Sequence, residues 1–267
     1  MARNNELGAA KTAKKDEFYT QLTDIEKEMR YYRKHFKGKT VLCNCDDPFE
    51  SNFFKYFVLN FNRLELKKLI ATCYATSPIM GSQLKYCMDA SGQMYISFDS
   101  ELTADNNTKR PYKAVVSVVY DKTGDGGVDM FDVAELFRSG ENQLTELSGD
   151  GDYRSDECLE LLQEADIVVT NPPFSKFREY VSTLIKYDKK FIIIGNINAA
   201  TYKETFPLIQ HNKMWLGASI HSGDRAFYVP DDYPLDAAGC GIDESTGRKF
   251  IRVKGVRWYS YINPIMV

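Results

Sequence analysis

Four consecutive residues, Asn171, Pro172, Pro173 and Phe174, have types and an order that suit chemistry at a planar amine. The Asn171 amide oxygen and the Pro172 carbonyl oxygen both accept hydrogen bonds, and the prolines fix the local φ angles. An exocyclic amine donates two N–H groups, and holding both hydrogens directs the nitrogen lone pair at an electrophilic methyl group. The ring of Phe174 offers a face on which a flat base can stack, a contact that contributes about 1–3 kcal/mol.

A proline-rich turn at the end of a strand is the ordinary alternative for the same four residues. The apolar run at residues 166–170 predicts a buried strand before them, and residues 176–187 predict a helix after them, capped near Ser175. Open α/β folds bind ligands at the carboxyl ends of their strands. The tetrapeptide is therefore expected at such a sheet edge.

The elements around this segment alternate between strand and helix. Buried strands are predicted at 40–45, 68–74, 166–170 and 190–196, further strands at 94–98, 113–120, 214–218, 226–230, 249–253 and 256–262, and helices at 23–37, 52–61, 130–137, 157–165 and 176–187. Ser51 is predicted to cap the second helix. The strand-helix-strand order from residue 40 to 74 implies parallel strands, so the sequence predicts an α/β fold with a mostly parallel open sheet.

Domain organisation is predicted from charge and from the change of pattern in the middle of the chain. Residues 1–39 form a basic N-terminal arm and helix, and residues 40–267 form one large domain. A hairpin-like insertion is expected at about 75–146, with its strands at 94–98 and 113–120.

Composition excludes several classes of protein. The chain has 267 residues, 43% of them hydrophobic, and a formal net charge of −3, which argues against a protein that coats nucleic acid by charge alone. No CxxC pair occurs among the six cysteines and the three histidines lie far apart, so no metal is expected. The apolar runs are shorter than the ~20 residues that a membrane helix needs, and the N-terminus is not typical of a secretory signal. We expect a cytoplasmic protein that does not enter a membrane.

Five segments follow one another in a characteristic order: DEFYTQ at 16–21, VLCNCDDP at 41–48, SNFF at 51–54, LIATCY at 69–74 and NPPF at 171–174. The ordered set resembles the EcoRI-type adenine-N6 DNA methyltransferases over most of the chain. The resemblance implies a Rossmann-like methyltransferase fold, S-adenosyl-L-methionine as methyl donor and double-stranded DNA as substrate. It also implies a site-specific modification enzyme of the restriction-modification type.

The resemblance assigns roles to particular residues. Asn171 and the Pro172 carbonyl accept from the amine of a flipped-out adenine, Pro173 belongs to the same rigid loop, and Phe174 stacks on the base. The cofactor-binding residues that it implies are Phe18, Tyr19, Thr20, Asn44, Asp46, Asp47, Asp152 and Tyr153. Two ordinary alternatives stay open: an Asx-type turn that caps a helix at 44–47, and a plain Gly-Asp turn at 149–153. Unlike many methyltransferases, the chain has no glycine-rich pattern after its first strand.

Other substrates and one non-enzymatic role are compatible with the same motifs. The loop at 171–174 suits an adenine in RNA or a glutamine in protein as well as an adenine in DNA. A catalytically silent nucleic-acid-binding module of this fold is the alternative from another class. The chain ends at 263–267, earlier than the resemblance leads us to expect. Three alternatives stay open for the DNA-recognition element: it is missing, it is shortened, or it is supplied by residues 75–146 and the basic segments around Arg248, Arg252, Lys254 and Arg257. The sequence gives no recognition site, restriction partner or oligomeric state.

Overall fold

The computed structural model describes residues 19–45, 48, 51–73, 83–88, 94–99, 111–221, 224–229, 239–244 and 246–263. The chain divides into two units. The discontinuous unit comprises the residues up to Arg33 and those from Ile167 onward, and the continuous unit runs from Lys34 to Asp166. The sequence-based division into residues 1–39 and residues 40–267 differs from this division, and it stays a prediction.

The described elements follow the predicted alternation of helix and strand. The helices are α1 (Leu22–Met29), α2 (Arg33–Phe36), α3 (Asn52–Leu59), α4 (Met130–Arg138), α5 (Asp156–Glu164), α6 (Phe177–Lys186) and α7 (Phe206–Gln210). The strands are β1 (Tyr19–Thr20), β2 (Thr40–Asn44), β3 (Lys68–Thr72), β4 (Gln83–Met88), β5 (Met94–Asp99), β6 (Tyr112–Val116), β7 (Gln143–Glu146), β8 (Ile167–Thr170), β9 (Lys190–Asn196), β10 (Trp215–Leu216), β11 (Asp224–Tyr228), β12 (Cys240–Ile242), β13 (Lys249–Lys254) and β14 (Val256–Ser260). Within the described residues, no helix is long and apolar enough to cross a membrane.

In the continuous unit, four strands pair in the order β2-β3-β6-β7. Strands β2 and β3 are parallel, and α3 follows the first of them, which confirms the predicted strand-helix-strand unit. The Ser51 hydroxyl accepts a hydrogen bond from the Phe53 N–H at 3.2 Å, so the predicted cap of α3 is also confirmed. Strands β6 and β7 add antiparallel pairs.

The predicted hairpin between residues 94–98 and 113–120 is wrong. Strand β5 pairs antiparallel with β4, whereas β6 pairs antiparallel with β3. The observed hairpin is therefore formed by β4 and β5. Strand β4 has no counterpart among the predicted strands. Residues 75–82, 89–93 and 100–110 of the predicted insertion lie outside the described residues.

The discontinuous unit has two groups of strands. One group pairs in the order β10-β14-β9-β8, in which β8 and β9 are parallel and the other pairs are antiparallel. The other group is an antiparallel sheet in the order β1-β11-β13-β12. Parallel and antiparallel pairs are thus mixed in a fold of the α/β class.

The predicted single helix at 23–37 is two shorter helices, α1 and α2. Between them, Tyr31 and Tyr32 donate backbone hydrogen bonds to the carbonyls of Glu28 and Met29, three residues back. This tighter winding interrupts the α-helix but nearly preserves the angular spacing of the apolar side chains. The apolar positions that led to the prediction, Ile25, Met29, Tyr32 and Phe36, are all fully buried.

Candidate active site

Strand β8 carries the Asn-Pro-Pro-Phe segment to the carboxyl end of a buried strand. Every residue of β8 is buried, as are Asn171 and Pro172 directly after it, whereas Pro173 and Phe174 are partly exposed. Strand β9 runs parallel to β8, with Thr170 opposite Ile193. The loop therefore leaves the strands at the edge where α/β folds bind ligands, as the sequence predicts.

A 3-10 turn at Phe174–Lys176 joins the loop to α6. The Lys176 N–H donates to the Pro173 carbonyl at 2.9 Å, and the Phe177 N–H donates to the Phe174 carbonyl. The predicted cap at Ser175 is wrong. The backbone carbonyls of Pro173 and Phe174 accept hydrogen bonds from these N–H groups, and no side chain caps the helix. The loop is consequently held by its own backbone.

Phe177 anchors the start of α6 on strand β9. A Cβ built at Gly195 would lie 2.8 Å from Cζ of Phe177, so the ring packs directly on the glycine backbone. On another side, the Phe177 ring lies 5.3 Å from the Tyr259 ring, centroid to centroid. The lone glycine in an apolar strand is the sequence signal for this close approach, and neither Gly195 nor Phe177 is among the predicted site residues.

The carboxyl end of β9 is fixed by side-chain hydrogen bonds. The Tyr259 hydroxyl donates to the Asn196 carbonyl at 2.8 Å, and burial raises the pKa of this phenol, so it remains a donor. The Asn196 amide donates to the Lys254 carbonyl and accepts from the Asn198 N–H, both at 3.0 Å. These bonds hold the backbone beside the loop that carries Asn171.

Phe174 contacts a buried aromatic residue, Phe227 of β11. The two ring centroids are 6.4 Å apart and the planes are nearly perpendicular, at 88°. Phe227 is directly opposite Thr20 of β1 in the antiparallel register. Directly opposite residues share a face of the sheet. The structure thus brings Thr20 and Phe174, which are far apart in sequence, to the same phenylalanine.

Tyr19 lies on the other face of the same small sheet. It is opposite Tyr228, and the Arg248 guanidinium lies 5.9 Å from the Tyr19 ring and 4.6 Å from the Tyr228 ring. The Tyr228 hydroxyl donates to Asp243 at 2.6 Å, and this hydrogen bond together with burial raises the pKa of Tyr228. Phe18, the first residue of the predicted cofactor segment, lies outside the described residues.

Asn44 ends β2 in the continuous unit and is buried. The next residue, Cys45, has φ of 92°, a left-handed conformation that favours glycine. The turn after the first long strand therefore has a glycine-like backbone without a glycine. The predicted cofactor residues Asp46 and Asp47 lie outside the described residues.

Gly151, in the same unit, brings the predicted Asp-Tyr pair to the end of β3. It has φ of 75°, and a Cβ there would overlap the Cys73 carbonyl and lie 2.7 Å from Cβ of Pro111. Cys73 directly follows β3, the parallel neighbour of β2, in which Asn44 is opposite Thr72. Asn44, Asp152 and Tyr153 are thus placed at one edge of the sheet, as a shared ligand site requires.

The Asp152 carboxylate is engaged by Arg154. One oxygen accepts from the Arg154 backbone N–H at 2.9 Å and from Nε at 2.8 Å, and the other accepts from Nη2 at 2.7 Å. A carboxylate has about four lone-pair positions, so a further donor remains possible. Tyr153 is buried, with the Arg154 guanidinium 5.6 Å from its ring. Among the described residues, no cluster of His, Cys, Asp or Glu has the composition of a metal site.

Comparison with known proteins gives one family and several relatives. The family described as adenine-specific methyltransferase EcoRI matches residues 6–265. The type II methyltransferase M.EcoRI of Escherichia coli is 44% identical over 262 residues, which cover 98% of this chain and 70% of that protein.

Two mycoplasma proteins are also similar to the chain. M.MgeORF184P of Mycoplasma genitalium is 32% identical over 96% of this chain and 66% of its own length. M.MpnI of Mycoplasma pneumoniae is 31% identical over 94% of this chain and 62% of its own length. Both are named type II methyltransferases. The chain therefore spans roughly two thirds of the length of these relatives, and no solved structure matches it significantly.

Proposed function

Because the chain belongs to the EcoRI family of adenine-specific methyltransferases, we propose that it methylates N6 of a flipped-out adenine at a specific site in double-stranded DNA. The methyl donor in this proposal is S-adenosyl-L-methionine, and the biological setting is restriction-modification. One observation carries the proposal: the buried Asn171 and Pro172 stand at the carboxyl end of buried β8, followed by the partly exposed ring of Phe174. The Rossmann-like description of the fold belongs to the same proposal.

The loop binds the adenine through two acceptors and one ring. The amide oxygen of Asn171 and the carbonyl oxygen of Pro172 each accept one N–H of the adenine amine, and Phe174 stacks on the base. Because two prolines restrict the loop and Asn171 and Pro172 are buried, its acceptors need little reorganisation when the amine enters. Extrusion of the base from the duplex costs a few kcal/mol, which stacking and contacts to the phosphates offset.

Methyl transfer needs no ionised base in this arrangement. Asn171 and Pro172 orient the amine nitrogen so that its lone pair points away from the loop, toward an electrophilic carbon. When bound, S-adenosyl-L-methionine supplies that carbon as the methyl group of a sulfonium. The N–C bond would form as the bond between the methyl group and the sulfonium sulfur breaks, with a neutral thioether as the leaving group. The methylated amine would then be cationic and strongly acidic, and it would release one proton to water.

The continuous unit contains groups that fit the cofactor. Asn44 is a buried amide at the carboxyl end of β2, and the left-handed backbone at Cys45 turns the chain there. Gly151 holds the Asp152–Tyr153 pair at the neighbouring strand end, where a carboxylate and an aromatic ring suit an adenosine. We assign Asn44, Asp152 and Tyr153 to the cofactor, together with Asp46 and Asp47 from the sequence.

In the discontinuous unit, the proposed cofactor segment is Phe18, Tyr19 and Thr20. Thr20 shares the face of Phe227, whereas Tyr19 packs with Arg248 and Tyr228 on the other face. Thr20 is therefore the side chain of this segment that we place nearer the methyl transfer, and Tyr19 is the one that holds β1 in the sheet.

The remaining parts of the proposal concern location and organisation. A DNA substrate favours a cytoplasmic location in a bacterial cell. We assign residues 1–39 to a basic N-terminal segment, and residues 40–267 to the methyltransferase domain with its insertion at about 75–146. No metal and no membrane takes part in the reaction as proposed.

The test is methyl transfer from radioactive S-adenosyl-L-methionine to DNA, RNA and protein in parallel. We expect label in double-stranded genomic DNA, and sequencing that detects N6-methyladenine should place it within one short recurring site. Label in RNA or in protein glutamine with none in DNA would contradict the DNA assignment. Calorimetry with S-adenosyl-L-methionine separates these outcomes from a silent nucleic-acid-binding module, which would bind DNA but not the cofactor.

A further inference from the structure

Phe227 is a buried ring beside the base-stacking residue. It is 1% exposed, belongs to β11, and is directly opposite Thr20 on one side and Ile251 on the other. Its position is thus fixed by backbone pairing with two strands. Phe174, in contrast, belongs to a three-residue turn and is partly exposed.

The two rings meet at 88° with centroids 6.4 Å apart, which is the edge-to-face arrangement that aromatic pairs prefer. A ring on a short turn has a broad range of χ2 angles unless a neighbour restricts it. Phe227 is a rigid neighbour of this kind. We propose that Phe227 is a positioning residue that holds the Phe174 ring in the orientation that stacks on the target adenine.

The same residue connects the loop to the segment that contains Thr20. Because Thr20 is directly opposite Phe227, a shift of β1 along β11 moves it relative to Phe227 and hence relative to Phe174. Phe227 therefore sets the distance between the base-stacking ring and the segment assigned to the cofactor. This inference rests on the proposed function, because it gives Phe174 an adenine to stack on.

The experiment removes the Phe227 ring and keeps its approximate volume, as Phe227→Met. Phe191→Met is the matched control, because Phe191 is a fully buried ring of β9 that stacks on Tyr261 at 5.4 Å. Phe227→Tyr keeps the ring and serves as the conservative rescue. Phe227→Leu is a second variant without the ring, for use if Phe227→Met does not fold.

We expect Phe227→Met to lower the single-turnover methylation rate about fivefold on saturating DNA, the size of one aromatic pair. The affinity for S-adenosyl-L-methionine should stay within about twofold of wild type by calorimetry, since Thr20 and its strand remain. Phe191→Met should lose comparable thermal stability without this loss of rate. Phe227→Tyr should retain most of the wild-type rate.

Fluorescence reports the same step without turnover. In the wild-type complex, stacking on Phe174 should quench the fluorescence of a 2-aminopurine base placed at the target position. In the Phe227→Met complex, the fluorescence of this base should be higher than in the wild-type complex. In a Phe174→Leu background, Phe227→Met should cause little further loss of rate, because its effect acts through the Phe174 ring.

An equal loss of rate in Phe227→Met and Phe191→Met would overturn the inference. So would a full fivefold effect of Phe227→Met in the Phe174→Leu background, or unchanged fluorescence. A wild-type chain that transfers no methyl group to DNA overturns the proposed function and this inference with it. An active wild type with a fully active Phe227→Met overturns the inference alone.

Discussion

Phe177 and Gly195 pack so closely that the ring occupies the space where a side chain at Gly195 would begin. The Cζ atom of Phe177 would lie 2.8 Å from a Cβ at Gly195. Phe177 is the first residue of α6, and its backbone N–H donates a hydrogen bond to the Phe174 carbonyl in the turn before the helix. The contact thus fixes the end of the loop that holds the proposed substrate base.

The first prediction follows from this contact. Gly195→Ala should destabilise the protein by about 1–3 kcal/mol, because the added methyl group overpacks a buried site. The displaced ring should also move the Phe174 turn and lower methyl transfer. Urea unfolding and single-turnover rates measure the two effects.

Gly127→Ala is the control for that experiment, because a Cβ at Gly127 meets no atom within 4 Å. It should leave both stability and rate close to wild type. Equal stability of the two variants would show that Phe177 does not need the bare backbone of Gly195.

The second prediction concerns the acceptor of the proposed loop. Asn171→Ala removes the amide oxygen that holds one N–H of the adenine amine, and we expect the rate of methyl transfer to fall about 100-fold or more. Binding of S-adenosyl-L-methionine should largely persist, because the groups assigned to the cofactor are unchanged. Calorimetry and radioactive methyl transfer measure the two properties.

Asn62→Ala is a matched control, because the Asn62 amide also makes a defined hydrogen bond, to the Val119 carbonyl at 2.8 Å. It should cost some stability and leave transfer intact. Full activity of Asn171→Ala would rule out the assignment of the loop.

The third prediction concerns Glu28, a fully buried carboxylate of α1. Its oxygens accept from the N–H groups of Ala218 and Ser219 at 3.0 and 2.7 Å and from the Tyr32 hydroxyl at 3.0 Å. Glu28→Gln turns an NH2 group toward these donors and should cost about 1–3 kcal/mol. The exposed Glu26→Gln in the same helix should change stability by less than about 0.5 kcal/mol, and thermal unfolding that fails to separate the two variants would contradict this account.

The elements that sequence patterns predicted are those with a continuous apolar run or a capping residue. Strand β8 and the Ser51 cap of α3 are examples, because each depends on neighbouring residues alone. Strand β7 has four exposed residues and no apolar pattern, and it forms through its pairing with β6. No local signal in residues 143–146 indicates that partner.

The loop chemistry was predictable because Asn171 to Phe174 are adjacent in sequence. The contact of Phe174 with Phe227 was not, because it depends on the order β1-β11-β13-β12, which brings distant segments together. The engagement of Asp152 by Arg154 is local, yet its geometry depends on a turn that begins with the left-handed Gly151. Residue types therefore indicated the chemistry of the loop. The pairing of strands that are distant in sequence determines which residues hold the loop side chains in place.

The fourth prediction is a pH dependence of stability at Asp132. Burial alone would raise the pKa of this carboxyl, but hydrogen bonds from the backbone N–H groups of Asp129, Thr123 and Lys122 lower it below its ordinary value of 3.8. Its folded-state pKa is thus lower than its unfolded-state pKa, and the resulting stability is present above pH ~4 and lost as pH falls through the folded value.

Asp132→Asn should therefore be less stable than wild type by about 1–3 kcal/mol at pH 7, because an NH2 group would face those donors. The difference should shrink as the pH is lowered below about 4, since wild type loses its carboxylate there. Urea unfolding at pH 7 and at pH 3 measures the two differences. A constant gap between the two proteins would contradict the role of the charge.

The fifth prediction tests whether the backbone after β2 is strained. Cys45 has φ of 92°, a conformation that costs a residue with a Cβ about 1–3 kcal/mol and costs glycine little. Cys45→Gly and Cys45→Ala both remove the thiol, but only the first removes the Cβ. The glycine variant should be the more stable of the two by about 1 kcal/mol, because relief of the native strain exceeds the extra entropy of its unfolded chain. If thermal unfolding ranks the alanine variant higher, a Cβ at this position does not strain the turn beside Asn44, and the prediction is wrong.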